Sequence, residues 1–149
     1  MFMQITIRKA ALHDMEKIHG LVYQLAVYER APEEVITTPE LYKKDFAERR
    51  FDAFVAETDN EIVGMALYYW AYSTWKGKYI WLEDFIVRED MRKHGIGKLL
   101  FDAVLDECKK EQVRVFKWQV LDWNTPAIKF YEKNNAEWQK EWLTYRIGF

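Results

Sequence analysis

The chain has 149 residues, a mass of 18.0 kDa and a formal net charge of -2. This is the size of one domain with its own core, and the charge gives no general attraction to nucleic acid or to an anionic membrane. The mean hydropathy is -0.40, and no run of about 18 apolar residues offers a membrane span. A lone Cys108 and a start without an apolar leader predict a cytoplasmic protein.

The first third of the sequence predicts one strand and two helices. Residues 4–8 alternate like a half-buried strand, and apolar residues then recur at three- and four-residue steps from residue 12 to residue 25. Thr38 and Pro39 are typical of a helix start, because threonine caps the first turn and proline fits its first position. We therefore expect a second, short helix that ends near Glu48.

The middle of the chain predicts three antiparallel strands. Residues 54–57 and 62–69 are rich in apolar side chains, and they flank a turn in which Asp59 and Asn60 favour a hairpin. Residues 79–87 predict a further strand that is antiparallel to this hairpin.

The last third predicts two helices and two strands. The helices are expected at residues 99–110 and 124–131, and the strands at residues 113–120 and 142–147. The predicted order is therefore β-α-α-β-β-β-α-β-α-β, in a single domain that spans residues 1–149.

The most informative motif is Arg-x-x-Gly-x-Gly, which starts at Arg92 between a predicted strand and a predicted helix. Gly95 and Gly97 permit positive φ and let backbone N–H groups approach a phosphate, and the helix start adds a favourable dipole. Lys93 and Lys98 add positive charge. The motif thus predicts a pyrophosphate-binding loop, and the alternative is a glycine-containing turn with solvated charges. It matches neither a P-loop nor a dinucleotide fingerprint, which disfavours nucleotide hydrolysis and hydride transfer.

A second motif opens the last predicted helix. Asn124 and Ala127 lie at its start, and the Tyr131 hydroxyl follows four residues beyond Ala127, on the same helical face. This face suits a narrow ligand. Taken alone, Asn124 is more typical of an ordinary helix cap, and Tyr131 of a core residue, than of a ligand site.

Together these motifs resemble the GNAT superfamily of acetyl-CoA-dependent N-acetyltransferases. The resemblance rests on Phe85-Ile86-Val87, on Arg92-x-x-Gly95-x-Gly97 and on Asn124-x-x-Ala127-x-x-Phe130-Tyr131. More narrowly, residues 25–29, 62–69, 75–78 and 82–85 resemble the diamine (spermidine/spermine) N-acetyltransferase branch, which includes thialysine acetyltransferases. The resemblance implies an α/β (α+β) fold with a mixed, mostly antiparallel central sheet flanked by helices. It also implies acetyl-CoA as the acetyl donor.

The resemblance assigns coenzyme contacts to three segments. In this family, the backbone of Phe85, Ile86 and Val87 pairs with the pantetheine arm. Asn124 and Ala127 contact the rest of the arm, close to Tyr131. The loop that binds the pyrophosphate comprises Arg92, Lys93, His94, Gly95, Ile96, Gly97 and Lys98.

The resemblance also assigns two catalytic residues, Glu83 and Tyr131. A primary alkylamine has a pKa near 10.4 and is protonated at neutral pH, so some group must accept its proton. In this family the residue matching Glu83 holds the ammonium and takes the proton, directly or through water. Tyr131, with an ordinary pKa near 10, is the acid for the departing thiolate. Strand alternation places Glu83 and Asp84 on opposite faces, so we expect only one of them to line the site.

Tyr28 and Glu29 are expected to receive the distal cationic part of a long amine, although a solvated helix end explains Glu29 equally well. Asn135 stands where this branch usually has glycine, which is tolerable because asparagine adopts the left-handed conformation. His13, His19 and Cys108 lack metal-ligand spacing, so we predict no metal site.

The function predicted from sequence is acetyl transfer to a primary amine of a small polyamine, diamine or lysine-like amino acid, by direct attack in a ternary complex. Two alternatives stay open: a protein lysine or N-terminal acetyltransferase, and a non-catalytic acyl-CoA-binding sensor. We expect no nucleic acid or membrane partner. The resemblance implies a homodimer, with the aromatic stretch at residues 138–145 as the candidate contact.

Overall fold

The computed structural model describes residues 3–149. The chain divides into two compact units, with the boundary between Gln119 and Val120. The strands are β1 (Thr6–Lys9), β2 (Asp52–Thr58), β3 (Glu61–Ser73), β4 (Gly77–Val87) and β5 (Phe116–Trp118), and the α-helices are α1 (Met15–Tyr28), α2 (Pro39–Ala47), α3 (Ile96–Lys110) and α4 (Thr125–Lys133).

All five strands belong to one sheet in the first unit, in the order β1-β2-β3-β4-β5. The first three pairings are antiparallel, and β5 joins the edge of β4 in parallel. The parallel pairing requires a crossover, which α3 supplies between β4 and β5. The mixed, mostly antiparallel sheet predicted from sequence is therefore confirmed.

Two local signals, a helix cap and a hairpin turn, have the expected geometry. Thr38 is the N-cap of α2, and its side chain accepts a hydrogen bond from Leu41 N at 3.2 Å. Asp59 and Asn60 have φ values of 50° and 61°, the left-handed pair that a two-residue hairpin turn requires. This turn sets the pairs Thr58–Glu61 and Glu57–Ile62, and a bulge at Val63 then shifts the register of β2 against β3 by one residue.

The sheet separates two apolar clusters, one for each of its faces. The α1 cluster lies under α1 and α2 and includes Met15, Ile18, Met65, Leu67 and Ile86. The α3 cluster lies under α3 and includes Ala66, Tyr68, Leu82, Leu100 and Val104. Cys108 is buried in the α3 cluster. Cluster membership therefore reports which face of the sheet a side chain occupies.

The strand after α3 is shorter than predicted. This strand, β5, spans residues 116–118 instead of 113–120, because Val113 N still donates to Cys108 O at 3.0 Å at the end of α3. Its register with β4 then holds only from Ile80 to Leu82.

The second unit contains α4 and a tail with no strand among its described residues. The strand predicted at residues 142–147 is wrong. Alternating apolar residues do not make a strand unless a neighbouring strand completes the ladder, and Trp142, Leu143, Tyr145 and Ile147 are all exposed. Within residues 3–149, no helix has the length and apolar character needed to cross a membrane.

Candidate active site

The glycine loop between β4 and α3 takes the conformation that a helix-start anion site needs. Gly95 is the N-cap of α3 with φ of 77°, in the left-handed region. A Cβ built on Gly95 would meet nothing within 4 Å, so backbone conformation and not space requires glycine here. The loop therefore presents the amino end of a 15-residue helix to open space.

Two residues of this loop differ from expectation. Gly97 lies in the first turn of α3 and does not have the positive φ that the sequence suggested, because the helix already begins at Ile96. Besides Gly95, the residue of this loop with positive φ is Lys93, at 67°. The Ile96 side chain is buried in the α3 cluster, so only its backbone is available to a ligand. The Lys93 and His94 side chains are exposed.

The cationic side chains near this loop differ in whether a carboxylate neutralises them. Arg88 is held by Asp90 at 2.6 Å and by Glu61 at 3.1 Å, and Lys98 is paired with Asp102. Arg92 forms no ion pair with any described residue. Its Nε donates to Val87 O at 3.0 Å, and its guanidinium lies 5.3 Å from the centre of the Tyr28 ring. Arg92 thus keeps its positive charge available for an anion.

The end of β4 next to the loop extends beyond its pairing with β5. The parallel register stops at Leu82, whereas the antiparallel register with β3 continues to Val87. Residues 86 and 87 therefore have a strand partner on the β3 side but lie past the last pair with β5. Such a position suits a ligand that adds to a sheet edge, as the resemblance implies for the pantetheine arm.

A bulge in β4 changes where the two carboxylates point. Tyr68 pairs with Leu82 and Leu67 pairs with Asp84, so Glu83 is an extra residue with no opposite partner. Leu82 packs in the α3 cluster before the bulge, but Phe85 packs there after it. The alternation of β4 side chains between the two faces of the sheet is therefore shifted by one residue at Glu83.

As a result, Glu83 and Asp84 both lie on the face of the sheet that α1 and α2 cover. Ile86, two residues beyond Asp84, belongs to the α1 cluster and confirms the shift. The expectation that these carboxylates occupy opposite faces is wrong, because it assumed a regular strand. A bulge of this kind leaves no signal in the alternation of a short apolar run.

The two carboxylates have different environments. Glu83 is exposed and accepts a hydrogen bond from Trp81 Nε1 at 2.9 Å. Burial, together with the charges of Glu83 and Glu29, raises the pKa of Asp84 to about 7. Partial desolvation also raises the pKa of Glu29, at the end of α1. The pKa of Tyr42 on α2 is raised by burial and by Asp84, which places its phenol near this acidic group.

A cavity of about 650 Å³ opens between α1 and the segment that follows β4. Tyr28 and Arg92, both singled out from sequence, line it, and so do Tyr23, Gln24 and Val27, which sequence reasoning missed. Tyr23 and Val27 lie one turn apart on α1, outside the buried stripe of Met15, Ile18 and Leu21. This second apolar stripe is the signal that would have found them. The lining residues are Tyr23, Gln24, Val27, Tyr28, Ile86, Arg88, Glu89, Asp90 and Arg92.

In the second unit, α4 carries the remaining candidates. The Asn124 side chain accepts from Ala127 N at 3.4 Å and so caps the helix. Ala127 and Tyr131 share one face of α4, as predicted. Asn135 has φ of 63°, and Ala136 N donates to Tyr131 O at 3.0 Å, which closes the helix with a left-handed cap. Asparagine therefore performs the conformational role of the usual glycine.

A glycine loop at a helix start, preceded by a strand that carries two carboxylates on one face, suits an enzyme that binds a phosphorylated cofactor and a cationic substrate. The sequence profile of the acetyltransferase (GNAT) family matches residues 12–136, a range that crosses the boundary between the two units. The chain belongs to the GNAT family and is an acetyl-CoA-dependent N-acetyltransferase. No group of three or more His, Cys, Asp or Glu residues in the described part of the chain is arranged to hold a metal ion.

Relatives at the sequence level carry specific names. The chain is 31% identical to a thialysine N-epsilon-acetyltransferase of Caenorhabditis elegans over 135 residues, covering 89% of this chain and 84% of that protein. It is 34% identical over 143 residues to the Bos taurus protein of the same name, with the same coverage. An L-ornithine N5-acetyltransferase of Arabidopsis thaliana is 28% identical, covering 95% of this chain and 83% of that protein.

Solved structures show the same fold. An aminoglycoside acetyltransferase from an uncultured soil metagenomic sample, solved with trehalose, superposes with a TM-score of 0.82 at 22% identity, covering 97% of each chain. An aminoglycoside N-acetyltransferase in complex with CoA gives a TM-score of 0.79 at 20% identity, covering 99% of this chain and 97% of that one. The GNAT fold expected from sequence is thus confirmed.

Proposed function

We propose that this enzyme transfers acetyl from acetyl-CoA to a primary amine of a small diamine, polyamine or lysine-like amino acid, by direct attack in a ternary complex. The observation that carries the proposal is the bulge in β4, which puts Glu83 and Asp84 on one face, with Glu29 close enough to raise the pKa of Asp84. Three carboxylates in one region favour a substrate with more than one positive charge. Relatives named for thialysine and ornithine acetylation support a lysine-like amine.

The coenzyme contacts in this proposal are those that the family resemblance implies. The α3 amino end at Gly95 and the unneutralised Arg92 suit a pyrophosphate, because helix-start N–H groups and a guanidinium both bind phosphate oxygens. Lys93, His94 and Lys98 add exposed donors around it. Ile86 and Val87, past the end of the β5 register, offer backbone to the pantetheine arm. Acetyl-CoA supplies the thioester carbonyl that the amine attacks.

In this proposal, residues of the chain accept and donate the protons that acetyl transfer requires. Glu83 and Asp84 hold the substrate ammonium and accept its proton, directly or through water, and this leaves a neutral amine with a free electron pair. Asp84 suits this task because a carboxyl with a pKa of about 7 is half ionised at neutral pH. As the new C–N bond forms and the C–S bond breaks, the Tyr131 phenol gives its proton to the departing thiolate, and the second proton that the nitrogen loses restores the phenol through solvent.

The remaining site assignments belong to the same proposal. Asn124 and Ala127 contact the coenzyme arm, and Glu29 receives the distal cation of a long amine. The two compact units work as one domain. The chain acts as a homodimer in the cytoplasm, and the exposed aromatic stretch at residues 138–145 supplies the contact between copies.

The test is thiol release from acetyl-CoA against putrescine, spermidine, spermine, thialysine, ornithine, lysine and histone-type peptides. We expect turnover with small amines that carry a second charge and little with peptides. The Glu83→Gln variant should lower kcat by about 10²-fold or more while acetyl-CoA binding, followed by calorimetry, is retained.

The other outcomes separate the alternative functions. Preferred turnover of peptides would show a protein acetyltransferase. Acetyl-CoA binding without thiol release for any amine would show an acyl-CoA sensor.

A further inference from the structure

Arg92 is restrained on two sides before any ligand binds. Its Nε donates a hydrogen bond to Val87 O at 3.0 Å. Its guanidinium carbon lies over the Tyr28 ring, 5.3 Å from the ring centre. Its neighbour Arg88 is bound to two carboxylates, whereas Arg92 meets none among the described residues. An arginine held by a carbonyl and a ring keeps its full charge and its remaining N–H donors for a ligand.

Tyr28 is well suited to hold this side chain. It is the last residue of α1, a helix anchored in the core through Met15, Ile18 and Leu21. The helix fixes the ring relative to the sheet, and the Arg92 loop begins where β4 leaves that sheet. A cation over an aromatic face is attracted by the ring quadrupole, so the ring restricts the rotamers of a long side chain that would otherwise be mobile on an exposed loop.

The position of Tyr28 differs from that of its neighbour Glu29. Tyr28 lines the 650 Å³ cavity together with Arg92 and Ile86. Glu29 instead influences the carboxylate region, since its charge contributes to the raised pKa of Asp84. Two consecutive residues at the end of α1 thus serve different ends of the site.

From this geometry we infer that Tyr28 is a positioning residue for the coenzyme: its ring holds the Arg92 guanidinium ready for the pyrophosphate, and it does not contact the amine. The inference rests on the proposed function, because it takes acetyl-CoA as the ligand of the loop. The affinity gained comes from preorganisation, since Arg92 loses less rotamer freedom when the pyrophosphate binds.

The experiment compares Tyr28→Leu, which removes the ring, with Tyr28→Phe, which keeps it. We expect Tyr28→Leu to weaken CoA binding, measured by calorimetry, by about fivefold. Tyr28→Phe should restore the affinity. KM for the amine should not move in either variant. Tyr72→Leu, which removes an exposed tyrosine on the β3–β4 hairpin, controls for the loss of a surface ring.

Two further readouts separate positioning from general damage. Pantetheine lacks the pyrophosphate, so its affinity should be the same for Tyr28→Leu and the parent chain. In an Arg92→Met background, Tyr28→Leu should have no additional effect, because the two residues act through one interaction.

Three results would overturn the inference: an equal loss of pantetheine affinity, an additive effect in the double variant, or a rise in the amine KM without a change in CoA affinity. Failure of the proposed function would look different, because the parent chain itself would then show no CoA binding or no thiol release.

Discussion

Asp84 carries the carboxyl group whose pKa is raised most clearly, and this has a consequence for stability. Its pKa in the folded chain is about 7, compared with an ordinary value of 3.8. The folded state therefore binds a proton that the unfolded state has already lost, and the free energy of unfolding falls as the pH rises from about 4 to about 7. Above this window the chain carries a poorly solvated charge.

Replacing Asp84 with asparagine should relieve this cost. We expect Asp84→Asn to raise the free energy of unfolding by about 2 kcal/mol at pH 8, and the gain should shrink towards pH 5, as followed by urea unfolding at each pH. Asp90→Asn is the matched control, because Arg88 lowers the pKa of that carboxyl and no gain is expected. A constant gain across the pH range would show that titration of Asp84 is not its source.

Tyr131 is the residue whose proposed role as an acid can be tested with the smallest change. Tyr131→Phe removes only the hydroxyl and leaves the ring pair with Phe130, whose centroids are 5.7 Å apart. We expect kcat to fall by about 10²-fold while the Kd for acetyl-CoA, measured by calorimetry, changes little. Tyr72→Phe should leave kcat at the parent value. An unchanged kcat for Tyr131→Phe at every pH would remove Tyr131 from the mechanism.

At the scale of elements, the start of α3 depends on one backbone conformation. Gly95 and Gly77 both have φ near 80° and open space around a Cβ, so valine at either position should cost similar stability, about 1–2 kcal/mol. Only Gly95 lies in the proposed pyrophosphate loop.

The pair of variants therefore separates folding from binding. Gly95→Val should weaken acetyl-CoA binding by at least tenfold in a calorimetric titration, whereas Gly77→Val should bind normally despite a similar shift in Tm. Normal affinity in Gly95→Val would contradict the assignment of the loop.

Sequence predicted the elements whose signals are local. The Thr38 cap, the Asp59–Asn60 turn and the left-handed Asn135 each follow from one or two side chains and their own backbone. The bulge at Glu83 was not predictable, because it arises from pairing between β3 and β4 and not from β4 alone. The tail strand failed for a related reason: apolar alternation describes one strand, but a ladder needs two.

The candidate site likewise contains some features that are local in sequence and others that depend on packing between elements. The glycine loop, Asn124 and Tyr131 could be proposed from sequence because their motifs are contiguous. The face shared by Glu83 and Asp84, and the contribution of Tyr23 and Val27 to the cavity, depend on how separate elements pack. Such features become visible only when the register and the helix orientation are known.

At the scale of the whole molecule, the exposed tail raises the question of assembly. Trp142 is 71% exposed, and Leu143, Tyr145 and Ile147 are exposed beside it. Apolar patches of this kind on a folded chain commonly mark an interface. In the proposed homodimer, this stretch is covered by a second copy.

Light scattering across a dilution series tests this assembly. The parent chain should behave as a dimer, and Trp142→Glu should shift dissociation to concentrations at least tenfold higher. Trp75→Glu is the control, since Trp75 is 84% exposed but lies on the β3–β4 hairpin of the first unit. A monomeric parent chain, or equal weakening by both variants, would contradict the proposed contact.

The bulge in β4 also bears on how freely this strand can change length. If Glu83 were deleted, Leu82 and Asp84 would become neighbours opposite Tyr68 and Leu67, and every other pairing of β4 would remain as it is. The pairing of β4 with β3 does not require this residue. A one-residue deletion in a regular central strand would move every later side chain to the other face, but here we expect the fold to tolerate it. What the deletion removes is the bulge, the Glu83 carboxylate and its hydrogen bond from Trp81 Nε1, while Asp84 stays opposite Leu67. The deletion variant therefore tests the proposed role of Glu83 in a sheet whose other pairs are kept.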